Sequence, residues 1–165
     1  MNQIKYKTEK FDLLNDDILW EKFMCFARMI IPYEEHWEEL TEGQKCPLIA
    51  FVYESDVLGE GHIGFIEINS DYMSLNDVIK ALKRLHISSK YIENIEKVPQ
   101  EYLSVDELLE QSKDEEDFSA KMDEMDAIFE PYDKVFYELV SENTEIEDKI
   151  LEYIRENYEE FFEMI

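Results

Sequence analysis

The chain has 165 residues, with 41 Asp and Glu against 16 Lys and Arg, a formal net charge of −25 and a pI near 4.3. That length accommodates one domain, and a 45% hydrophobic share with 13% aromatics excludes an intrinsically disordered acidic chain. The charge excludes direct nucleic-acid binding and docking on anionic lipid as working readings, because phosphates are contacted through Lys and Arg.

Helical periodicity dominates from the start. Asn15, Asp16 and Asp17 offer a cap and a negative first turn to a helix running to about Ile31, with Ile18, Leu19, Phe23, Phe26, Met29 and Ile30 as its apolar stripe and Pro32 as its stop. A short helix over Tyr33–Leu40 is expected next, and Thr41-Glu42-Gly43-Gln44 has the form of a capping box, complicated by Pro47. The stretch 47–69 reads two ways. Pro47–Tyr53 and Ile63–Ile68 are either a β-hairpin joined through Gly59 and Gly61 or two buried helices; short apolar runs do not decide between them, and local propensity leans toward strands.

Beyond it the helical signals return. Ser74-x-x-Asp77 precedes a helix with Val78, Ile79, Leu82 and Leu85, and Ser88 or Ser89 caps a segment from Tyr91 to Val98 that Pro99 stops. Ser104-x-x-Glu107 opens a short helix to Lys113. Asp114–Phe129 carries Phe118, Met122, Met125 and Phe129 on one face. Pro131 then begins a separate helix with Tyr132, Val135, Phe136, Leu139 and Val140. Thr144-x-x-Glu147 opens a last helix with Ile146, Ile150, Ile154, Tyr158 and Phe162 inward. The expected fold is all-α, one multi-helix domain over residues 1–165 with about seven to nine helices.

The acidity is regional. Residues 1–100 hold 18 acids and 11 bases, whereas residues 101–165 hold 23 acids and 5 bases. On the last helix Asp148, Glu152, Glu156, Glu159 and Glu163 recur at spacings of three and four, one row opposite the apolar stripe, and Glu116, Asp123, Asp126 and Glu130 repeat the pattern upstream. One such row is an ordinary solvated face. Two poorly compensated rows in a chain this charged point to a partner-binding surface, since self-repulsion opposes compaction. Regular carboxylates on stiff helices approximate the field of duplex DNA, with one charge per roughly 1.7 Å of axis, and would engage a basic groove. Tyr72–Gln100, with Lys80, Lys83, Arg84, Lys90 and Lys97, is almost neutral and is a candidate self-association surface for a homodimer.

Other motifs carry less. Gly59-Glu60-Gly61-His62-Ile63-Gly64 spells a dinucleotide fingerprint, but Glu54, Asp56 and Glu60 place negative charge where phosphates would lie, so a turn with close backbone packing is the better reading. His36 and Glu39 stand at helical spacing without the further inward-facing sets that a carboxylate-bridged metal site requires. His62 and His86 sit in apolar contexts and read as packing residues; Cys25 and Cys46 make neither a disulfide framework nor a zinc site. No catalytic residue, cofactor or metal is expected. The polar start, Met1–Lys10, has no signal-peptide character, and Phe23–Pro32 is too short to span a bilayer, so a cytoplasmic location is expected.

Glu60-Gly61-His62-Ile63 through Asn69-Ser70, then Val78–Ile87, and finally Phe136-Tyr137 through Ile150–Asn157 and Phe161, resemble a bacterial family of DNA-mimic proteins over about residues 40–165. Family members show an Asn-Gly-Gly-aromatic turn, an aromatic-rich helix ending in Asn-Ser, and an Ala-Leu-x-x-Ile-Gly helix. Gly61, Asn69, Ser70, Ala81 and Leu82 match. Asn-Gly-Gly is here Glu60-Gly61-His62, the usual Gln is Phe65, and Ile-Gly is Leu85-His86. The resemblance implies an all-helical fold, against the strand-leaning reading of 47–69. It also implies an acidic, non-enzymatic surface that occupies the DNA site of a transcription factor or nucleoid protein. Two alternatives accompany it: an immunity or antitoxin-like protein neutralising a basic toxin, and an enzyme or small-molecule binder around Gly59–Gly64.

Overall fold

The computed structural model of the chain describes residues 3–30 and 35–165. The helix stop expected at Pro32 and the start of the helix expected over Tyr33–Leu40 lie outside them. Among the described residues there are eight α-helices and one pair of short strands. In chain order they are β1 (Tyr6–Thr8), α1 (Asp16–Ile30), α2 (Glu42–Asn69), α3 (Leu75–Arg84), α4 (Ser89–Ile95), α5 (Val105–Glu110), α6 (Glu115–Glu142), α7 (Glu145–Glu156), α8 (Tyr158–Phe161) and β2 (Phe162–Met164). Among the described residues a 3-10 turn, Trp37–Glu39, precedes α2. No helix among the described residues is long and apolar enough to cross a membrane.

Helix α2 is the axis of the molecule. Its first half buries residues on every side, including Cys46, Leu48, Ala50, Tyr53 and Val57, because α3, α6, α7 and α8 all lean on it. A helix covered all round has no polar face to reveal its period, which is why 47–69 admits a strand reading. The helix settles that ambiguity: no hairpin forms there. Thr41 caps it in a full capping box with Gln44, as its sequence predicts. Pro47 is accommodated inside the helix, in its second turn.

The helix breaks once, at Gly61, whose φ of 68° and ψ of −179° belong to a region that only glycine occupies at little cost. A Cβ at Gly61 would lie 2.6 Å from Oδ2 of Asp133 on α6. The close approach has a purpose. Asp133 Oδ1 accepts the His62 backbone N–H at 2.8 Å, capping the second half of α2, and lies 2.6 Å from His62 Nδ1. The other ring nitrogen of His62 meets the Tyr53 hydroxyl at 2.9 Å. Tyr53, Phe65, Tyr91 and Phe136 close around them edge to face, with Tyr53 and Phe136 centroids 5.2 Å apart.

Three boundaries differ from the sequence expectation. Pro131 lies inside a continuous α6 and starts no new helix. The Ala127 carbonyl that it deprives of a donor is on the exposed side, where water can replace the bond. The last helix ends at Glu156 and does not continue to Phe162. Asn157 turns its amide back onto the Tyr153 carbonyl at 2.8 Å, and Phe162–Met164 pairs in parallel with Tyr6–Thr8. Finally, Thr144 makes no capping bond; Asn143 Oδ1 takes the Glu145 N–H at 3.0 Å, and the Thr144 hydroxyl turns to Asp148. On α1, Met29 is exposed and Ala27 takes its place in the core, while Asn15 accepts the Ile18 N–H as expected.

The two ends of the described chain are clasped by Gln44, which is fully buried. Its amide donates to the Ile4 carbonyl at 2.6 Å and the Glu160 carbonyl at 2.7 Å, and its oxygen accepts the Thr41 N–H. Gly43 leaves room for the Glu160 carboxylate, with which a Cβ there would collide.

Candidate functional site

All nine carboxylates singled out from the sequence are exposed. Glu116, Asp123, Asp126 and Glu130 lie along the outward face of α6. Asp148, Glu152 and Glu156 lie along α7, Glu159 is on α8 and Glu163 on β2. The five-member row on one last helix is therefore corrected to a three-member row, with Glu159 and Glu163 carried on the turn and strand that follow. The two helices share α2 and otherwise brace different neighbours. Helix α6 packs on α2, α4 and α5, and α7 packs on α1 and α2, with the Asn143-Thr144 connection between them.

Neutralisation is sparse. Lys134 pairs with Glu130 at 2.8 Å, Lys149 with Glu152 at 2.6 Å, and Lys7 with Glu163 at 3.6 Å. Among the described residues no Lys, Arg or His nitrogen comes within 4 Å of Glu116, Asp123, Asp126, Asp148, Glu156 or Glu159. Exposed pairs of this kind contribute about 0–1 kcal/mol each, so even the paired carboxylates stay available to a stronger cation. The charge shows in their neighbours: the hydrogen bond it donates to Glu152 raises the Lys149 ammonium, and that to Glu159 raises the Tyr158 hydroxyl.

The α6 row is more than a convex face. Asp123, Asp126 and Glu130 form one wall of a cleft of about 620 Å³ whose other wall is the α2 break at Gly59, Glu60, Gly61 and Ile63. Asp133, whose Oδ1 holds His62, lines the cleft too, together with Lys134 and Tyr137. Burial first, and then the Asp133 charge, raise the Tyr137 hydroxyl. Sequence reasoning missed Glu60 and Asp133. Asp133 continues the spacing 123, 126, 130 and could have been found from it; Glu60 comes from another element and only the tertiary fold brings it near.

The remaining motifs resolve into structure. The Gly59–Gly64 fingerprint lies inside α2 with no strand before it, and its middle glycine is the helix break. His62 is the buried packing residue expected, and more: it links α2 to α6. His36 stands 3.8 Å from Glu39 on the surface. Cys25 and Cys46 are both free, and burial pushes the Cys46 thiol up to about 12. Among the described residues no cluster of three or more His, Cys, Asp or Glu side chains is arranged to hold a metal ion.

A family model described as DMP19-like protein, DMP19 being DNA mimic protein 19, matches residues 38–157. No curated protein and no solved structure matches the chain. The matching positions noted from sequence are ones that the geometry restricts. Gly61 is the α2 break. Asn69, 1% exposed, holds Asp56 Oδ2 and the Phe65 carbonyl at 2.8 and 2.9 Å, and its own carbonyl accepts from Tyr72 and Met73. Ser70 follows as the C-cap of α2, and Ala81 and Leu82 are buried on α3 against it. The Ile-Gly position explains itself too. His86 has a φ of 56°, and the bonds from Ile87 N to Leu82 O and from His86 N to Lys83 O form a Schellman C-cap of the kind glycine favours.

Proposed function

Because this chain belongs to the DMP19-like protein family, we propose that it mimics DNA, presenting its acidic α6 and α7–β2 faces to the DNA-binding surface of a transcription factor or nucleoid protein in the bacterial cytoplasm. The observation that carries the reading is a set of exposed carboxylates on helices anchored in the core, most of them with no base in reach. Each like-charge pair at helical spacing costs about 0.2–0.5 kcal/mol. A partner's Lys and Arg side chains offset that cost on binding. The role is binding by electrostatic complementarity, which gives fast and salt-sensitive association, and it calls on no catalytic group. A homodimer through Tyr72–Gln100, the least acidic segment, belongs to the same proposal, and a light-scattering mass equal to one chain would remove it.

The test is capture of the partner from the native cell followed by competition with duplex DNA. DNA and this protein should displace one another. Added salt, and charge reversal of Glu152, Glu156 and Glu159 to Lys, should both weaken the complex. A ternary complex holding DNA and this protein together on one partner overturns the proposal. If the captured partner is instead a toxin whose activity this protein blocks without competing for DNA, the immunity reading replaces it.

A further inference from the structure

The connection between the two acidic helices sits on a second group of carboxylates that the binding reading does not use. Glu54 projects from the middle of α2, Glu142 from the last turn of α6, and Glu145 and Glu147 from the first turn of α7. Tyr91 of α4, 1% exposed, stands among them, and its hydroxyl is buried with no hydrogen-bond partner among the described residues. No Lys, Arg or His nitrogen lies within 4 Å of any of the four carboxylates among the described residues. Lys149, whose charge reaches Glu145, is engaged with Glu152 at 2.6 Å. Glu145 is partly satisfied, accepting the Ser88 N–H at 2.6 Å. Glu54 is not so served.

We propose that this junction is a proton-operated joint: with Glu54 protonated, the first turn of α7 rests closed against α2 and α4, and with Glu54 ionised, it parts from them and changes how the α6 and α7 faces are set relative to one another. The supporting chemistry is consistent on both sides of the contact. Burial first, and the Glu147 charge second, raise the Glu54 carboxyl from its ordinary 4.5 to about 7. Burial, then Glu145, Glu54 and Glu142, push the Tyr91 phenol up to about 12, so it remains a neutral donor throughout. A neutral Glu54 removes one negative charge from the group and gains an O–H donor, which the unpartnered Tyr91 oxygen can accept. An ionised Glu54 is a half-buried charge facing Glu147 with no cation to answer it. The sign follows from linkage. A carboxyl raised on folding lends its full stabilisation below about 4.5 and loses it as pH rises through about 7. This joint does not depend on what the acidic faces bind.

Amide hydrogen exchange at pH 5.5 and pH 8, corrected for intrinsic rates, reads the joint directly. Protection across Val140–Ile150 should fall about tenfold or more between the two in the intact protein, while α3 amides (Leu75–Arg84) hold theirs. Glu54→Gln, neutral at every pH, should keep the pH 5.5 protection at pH 8. Glu147→Gln removes the opposing charge and should move the transition to lower proton affinity, giving a second reading if the first variant folds poorly. Unchanged protection in the intact chain, a fall shared equally by α3, or a Glu54→Gln variant that still loosens with pH would each overturn the joint.

Discussion

Gly61→Ala probes the one place where α2 departs from helical geometry. The substitution places a side chain at φ 68°, ψ −179°, a conformation that costs an L-residue about 1–3 kcal/mol. It also puts a methyl group 2.6 Å from Asp133 Oδ2. The carboxylate must move, and it now accepts from His62 N at 2.8 Å and meets His62 Nδ1 at 2.6 Å. A hydrogen bond to a charged group is worth about 1.5–3 kcal/mol. Against this stands the loss of unfolded-state freedom, about 0.4–1 kcal/mol in favour of Ala. The net expectation is a loss of roughly 2–5 kcal/mol, or a fall in Tm of roughly 5–15 °C for a chain of this length. Gly59→Ala is the matched control. That site is helical, exposed and open, with nothing within 4 Å of its Cβ, so Ala should stabilise it by about 0.5–1 kcal/mol. Urea unfolding followed by circular dichroism measures both. Adding Asp133→Ala to Gly61→Ala should cost less than the sum of the single changes, because one carboxylate is responsible for both. If Gly61→Ala unfolds with the same free energy as Gly59→Ala, the account of the break and its Asp133 clamp is wrong.

Two further outcomes use the same assay. His86→Gly relieves a left-handed residue at the α3 C-cap and should stabilise the chain by about 0.5–1 kcal/mol; a loss of stability would show that the His86 side chain contributes more than its backbone strain costs. Phe136→Ala empties the contact that joins α6 to Tyr53, His62 and Tyr91 and should cost about 3–5 kcal/mol. A cost below 1 kcal/mol would mean that the cluster refills the space.

What sequence alone reveals here is what is local. The capping boxes at Thr41, Ser74 and Ser104 all form, because a cap needs only residues three apart. The apolar stripes of α1 and α6 are legible for the same reason, apart from Met29 and Val135, which are exposed; so is the exposure of the acidic rows. What sequence hides depends on distant partners. Helix α2 is enclosed by four other helices, which erases the polar face a period would show. Its break needs Asp133, many residues away. Asn157 ends α7 where a continuous apolar pattern suggests otherwise, because β1 offers Phe162–Met164 a better partner. The cleft beside Gly61 is built half from α6, whose spacing shows it, and half from Glu60, whose position only the folded chain discloses.

The Tyr6–Thr8 to Phe162–Met164 pairing also sets an order of assembly. It joins segments far apart in the chain, so its closure carries a large loop entropy. During synthesis the first strand waits, unpaired, until Phe162–Met164 have left the ribosome. Gln44, at the start of the central helix, waits for the same Glu160 carbonyl. Helices α2 to α6 can gather as they emerge, whereas sealing of the amino-terminal strand awaits the segment beyond α8, a late seam in a chain whose middle is already packed.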